Sequence, residues 1–271
     1  MSDSPRRLRA LYNSVVSDLR GDDGRPGLER GPTIVFVSAT ILLTLFYYFG
    51  KSSAFHTLGL AEWSAARWPD MAPEWQGLLP FLYWGVGALV LRVLAPIAIA
   101  KGLLKLRAAD LGLQLRGTLK HAPIYLLLYL GMFPVLWWAS GQQSFQDTYP
   151  LYDAARAGGR LFWAFQFCYW LQFIGVEFFF RGFMLFPLLK RFGHNALLIS
   201  ALPYVMIHFN KPVLETLGAL IAGVALGYLA IRARSCVLGI ALHVGIAVTM
   251  DLMSMARHGE GGSAFWRLLF G

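Results

Sequence analysis

Glu177, Arg181, His208 and His243 are the side chains in this sequence best suited to do chemistry, and all four lie within apolar runs of its C-terminal half. An ionisable group at membrane depth is costly, so each one needs a partner or a role. Glu177 and Arg181 stand four apart in Gly175-Val176-Glu177-Phe178-Phe179-Phe180-Arg181-Gly182. On a helix that spacing puts them on one face, where they can pair. A buried pair of this kind is often only architectural. The histidines extend it to a candidate site. His208 ends the run Pro203-Tyr204-Val205-Met206-Ile207-His208, and His243 sits inside Ala241-Leu242-His243-Val244-Gly245. A Glu and a His around one water can take its proton and direct it at a carbonyl. A second His can donate to the developing oxyanion. Glu177, His208 and His243 are also a sufficient ligand set for catalytic zinc, with one position left for water. The residue types leave both chemistries open.

The elements that position these groups must be membrane helices. Of the 271 residues, 56% are hydrophobic, 15% aromatic and only 14% charged. Apolar runs near the ~20 residues that span a bilayer cover 33–49, 78–100, 123–139, 161–189, 195–209, 213–231 and 236–255. They lack the period-two alternation of strands. The expected fold is all-α, a polytopic bundle of about seven to eight helices with a polar cavity inside the membrane. A short amphipathic tail, 265–270, either lies on the surface or completes an eighth element. Residues 1–32 form a basic segment, and residues 33–271 form the membrane domain with the candidate core at 160–255. Cys168 and Cys236 lie in apolar runs without metal-type spacing and read as separate buried thiols.

The net charge of +9 does not point to nucleic acid, because the basic residues cluster between apolar runs. They fall at the N-terminus, at 101–120, at Lys190 and Arg191, and at Arg232 and Arg234. Alternating spans put these four places on one side, which the positive-inside rule makes cytoplasmic, with the C-terminus opposite. A helical hairpin turning near Phe192-Gly193 places Glu177 and His208 at one level, about 21 Å from the basic end. His243, nine residues past Arg234, falls about 14 Å from that end.

These residues resemble the motifs of the CAAX-protease and bacteriocin-processing (CPBP) family of intramembrane proteases. That family has Glu-Glu-x-x-x-Arg, matched by 176–181 with Val176 at the first Glu. It has Phe-x-x-x-His, matched by Tyr204 to His208 with Tyr for Phe. It has His-x-x-x-Asn, matched at His243 with Ala247 in place of Asn; Asp251, one turn on, is the substitute. The resemblance covers roughly 160–255. It implies hydrolysis of a peptide bond near the C-terminus of a membrane-anchored protein substrate, in a bacterial inner membrane. It also implies that Glu177 takes over water activation, supported by His208, with His243 at the oxyanion. Arg181 then positions Glu177. A glutamic mechanism without cofactor is expected, zinc being the alternative. The pattern is similar to divergent bacterial branches such as the myxosortases, which are linked to trimming C-terminal sorting tails. Val176 also fits a non-catalytic relative acting as a scaffold, chaperone or immunity protein. A proton-coupled carrier is a third class, without the inverted repeat such carriers show.

Further placements come from position in the runs. Tyr204 and Phe180 can contact a peptide, and Asn210 can line the outer mouth of the cavity. Arg92 lies mid-run in the second span, where it pairs with a carboxylate or extends to the interface.

Overall fold

The computed structural model describes residues 4–21, 27–209, 211 and 213–258. These residues contain helices and no strands. Six helices among them are long and apolar enough to cross a membrane. After α1 (Ser4–Arg20), the spans are α2 (Arg30–Gly50), α3 (Pro73–Leu104), α4 (Leu119–Ser140) and α5 (Gly159–Phe192). A short apolar helix, α6 (Asn195–Met206), leads into α7 (Val213–Ala233) and α8 (Val237–His258). The chain is therefore a multi-pass integral membrane protein.

The helix count departs from expectation at the seventh span and at α1, a helix outside the expected apolar runs. The run 195–209 forms a helix of 12 residues, about 18 Å long, too short to cross a bilayer alone. Its hydropathy continues past Met206, but the helix ends there in a turn at 207–209. The amphipathic tail at 265–270 lies outside the described residues.

α5 is the central helix. Its sequence is apolar on all sides, and 72% of its most apolar window is buried, against 11–39% for the other spans. A helix that is apolar all round belongs in the middle of a bundle. It packs on α3 along one face and on α8 along another. Gly85 of α3 makes the first contact possible, since a Cβ there would lie 2.6 Å from the Cys168 carbonyl. α5 is α-helical to Glu177 and then π-helical over Phe178–Leu185, with all eight residues of that stretch buried. Such wide turns are rare and gather at functional sites.

The two ends of the bundle are defined by contacts. At one end Glu29 pairs with Arg191, Arg30 donates to the Leu103 carbonyl at 3.5 Å, and Gln114 donates to the Arg234 carbonyl at 2.6 Å. The four basic places of the sequence are thus brought to one side. At the other end Tyr152 bonds the Glu74 carbonyl and Ser254 bonds the Tyr149 carbonyl.

Arg92 takes neither of its expected arrangements. It is buried, stacks on the Phe46 ring at 3.6 Å and bonds Gln172 at 3.4 Å. Cation–π contact and a neutral amide stand in for the carboxylate. Both cysteines are buried free thiols.

Candidate active site

The carboxylate of Glu177 ends the α-helical part of α5 and is fully buried. Its Oε1 accepts from Nδ1 of His243 on α8 at 2.9 Å and lies 3.3 Å from Nη1 of Arg181. A carboxylate only accepts, so His243 donates from Nδ1 and its Nε2 is left for another partner. The side chains of Glu177 and Arg181 are 1% and 2% exposed, while that of His243 is 21% exposed. The imidazole is therefore the edge of the cluster that opens outward. The Phe173 ring, one turn before Glu177, covers it at 4.6 Å.

The second carboxylate oxygen, Oε2, is buried with no protein hydrogen bond. It faces the backbone of α8 at Gly239, where an added Cβ would stand 2.9 Å away. Gly239 precedes His243 by one turn, so both are on the α8 face that meets Glu177. The sequence carried this signal in the spacing Gly-x-x-x-His, but glycine alone is too common to single out. In Gly239→Ala the carboxylate must shift by about half an ångström. We expect any reaction through Oε2 to slow ~10-fold, since ~1 Å of misplacement can cost ~100-fold. Turnover by the purified variant, at unchanged protein yield, checks this.

Arg181 lies between two groups. Its guanidinium pairs with Glu177 and stacks over the Tyr204 ring of α6 at 4.1 Å. Tyr204 also meets Phe180 at 5.3 Å and the His208 ring at 4.8 Å. His208 Nδ1 bonds the Tyr204 carbonyl at 2.8 Å. Arg181 opposite Tyr204 is the register of the expected hairpin, which sets Glu177 level with His208. The imidazole directly on the carboxylate, however, is that of His243. His208 is joined to Glu177 through Tyr204 and Arg181.

The expected support from Asp251 is not found beside His243. The two are eight residues apart on α8, about 12 Å along its axis. Asp251 is buried and accepts from Gln166 at 2.5 Å. Gln166 lies three turns before Glu177 on α5, and it too is a polar residue in an apolar run. Asn210 lies outside the described residues.

The zinc ligand set does not fit this arrangement. Among the described residues no three His, Cys, Asp or Glu side chains form a group able to hold a metal. Glu177 and His243 bond each other while the His208 ring turns to Tyr204, so the three side chains do not converge on one point.

Glu177, Arg181, Tyr204, His208 and His243 all fall within residues 158–249, which match the family model of type II CAAX prenyl endopeptidase Rce1-like proteins. Comparison with curated proteins and with solved structures gave no match. The helices that carry Glu177, Arg181 and His243, α5 to α8, are thus similar to the Rce1-like domain of type II CAAX prenyl endopeptidases, over about a third of the chain.

Proposed function

We propose that this protein is an intramembrane endopeptidase that hydrolyses a peptide bond near the C-terminus of a membrane-anchored protein, with Glu177 activating the water. The observation that carries this reading is the division of labour on one buried carboxylate. Oε1 is fixed by His243 and faces Arg181, while Oε2 has no protein partner. A water on Oε2 gives its proton to Glu177 as its oxygen adds to the scissile carbonyl carbon. His243, oriented through Nδ1, turns its Nε2 to the substrate, where the imidazolium form can donate to the developing oxyanion. The C–N bond then breaks and the departing nitrogen takes the proton back from Glu177. Arg181 supplies the counter-charge and does not react. His208 and Tyr204 border the site on the α6 side.

Glu177 lies 15 residues before the end of α5, about 22 Å from the basic end. With that end cytoplasmic by the positive-inside rule, the scissile bond is nearer the opposite leaflet. A C-terminal tail that crosses the membrane would meet the site from that side.

The test is cleavage in proteoliposomes of membrane-anchored peptides with varied C-terminal tails, read by mass spectrometry. The parent protein is expected to cut a subset of them, and His243→Ala none, at equal protein levels. Equal cleavage by both would overturn the assignment. Val176 supports one other reading, a non-catalytic relative. It is buried in the main core where the resemblance puts a first Glu. Cleavage by Val176→Glu but not by the parent would favour that reading.

A further inference from the structure

α1 carries an uncovered apolar stripe. Leu8, Leu11, Tyr12, Val15 and Leu19 recur at helical spacing and are 46–68% exposed. Residues three and four apart on a helix form one face, so these five make a continuous band along the 17-residue helix. Isolated helices of this length are marginal in water, and an apolar face of five large side chains needs a cover. Among the described residues no helix of the bundle packs extensively on α1 to supply it.

The charge on α1 tells what the cover is. The helix holds Arg6, Arg7, Arg9 and Arg20 against Asp18 alone, a net charge of +3. Arg9 and Arg20 are exposed. Leu28 donates to the Leu19 carbonyl at 2.8 Å, and α2 begins two residues later at Arg30. α2 is the first membrane span, and its start lies at the basic end of the bundle. The helix is therefore tethered within a few residues of a bilayer surface. Apolar residues on one face and arginines on the rest are what an interfacial helix needs: the first enter the acyl boundary, the second meet phosphate groups.

We propose that α1 lies in the plane of the membrane surface at the basic end, its Leu8–Leu19 stripe in the lipid and its arginines on anionic headgroups. It holds the basic end of the bundle at a fixed level in the leaflet, through the short connection to α2. This inference does not depend on the protease reading.

Single cysteines on the two faces of the full-length protein test it. Cys168 and Cys236 are buried, so soluble maleimide reagents report the added thiol. Leu11→Cys and Asn13→Cys are labelled with an environment-sensitive dye and reconstituted in nanodiscs of phosphatidylcholine with and without phosphatidylglycerol. The label at 11 is expected to be quenched by spin-labelled lipid several-fold more than the label at 13. Aqueous quenchers should reverse that order, and phosphatidylglycerol should widen the difference. Equal quenching at both positions overturns the proposal. So does cross-linking of the Leu11→Cys protein to a second copy, which would make the stripe a dimer contact. An unchanged difference on adding phosphatidylglycerol removes the arginine–headgroup contact. Val15→Asp must lower the lipid quenching at 11, and the helices of the bundle, distant from it, keep the chain folded.

Discussion

Glu177→Gln is expected to reduce peptide cleavage about 1,000-fold while the protein accumulates in the membrane at its normal level. The substitution keeps the size of the side chain. The amide oxygen can still accept from His243 Nδ1 and face Arg181, so the packing of α5 on α8 is preserved. What is lost is the capacity of Oε2 to take a proton from water. Among the described residues no second carboxylate stands ready to replace it. Val176 is apolar, and Asp251, bonded to Gln166, is three turns of α5 away. Rates measured on the purified variant, with thermal unfolding as the control for folding, decide the matter. Cleavage near the parental rate would mean that Glu177 is an architectural partner of Arg181 and that another group activates water.

The groups of this site were legible in the sequence because charged residues in apolar runs are few. Their pairing was legible only in part. Glu177 with Arg181 follows from i, i+4 spacing, and the level of Tyr204 follows from the hairpin between α5 and α6. The choice of His243 over His208 as the carboxylate's partner does not follow from counting. Counting from Arg234 put His243 about 14 Å from the basic end, against about 21 Å for Glu177. The two nonetheless touch, because the turn before α8 is sunk into the bundle. The Cys236 amide donates to the Gly112 carbonyl at 3.1 Å, and Gly112 lies against the Phe186 ring. α8 thus starts near the level of Phe186, nine residues from Glu177, and seven residues bring it from Cys236 to His243. That level is set by a loop far away in sequence, where no local pattern reports it. The π-helical stretch after Glu177 was likewise hidden, since Phe178–Leu185 reads as an ordinary apolar run. The amphipathic α1 was present in the spacing of Leu8, Leu11, Val15 and Leu19 but obscured by the surrounding arginines.

Arg181→Met is expected to lower stability by about 3–5 kcal/mol, more than any other single change at the site, because it leaves a buried carboxylate without its cation. Both side chains are almost wholly buried, and water cannot take over the charge. His243 remains against Oε1, but it is also the group that opens outward, so it compensates less well. The loss includes the stacking of the guanidinium on Tyr204. Glu177→Gln combined with Arg181→Met should recover most of the stability, since neither charge is then left alone. Lys at 181 should recover only part, because an ammonium cannot lie flat on the Tyr204 ring while it faces Glu177. A double-mutant cycle read by thermal unfolding in detergent gives the coupling directly. Strict additivity would mean that Arg181 and Glu177 act separately and that the carboxylate is balanced by His243. Strong coupling would make Arg181 the residue that lets a lone Glu reside in the membrane interior. The chemistry proposed for Glu177 requires that residence, since its free oxygen can meet a water only while the other is held.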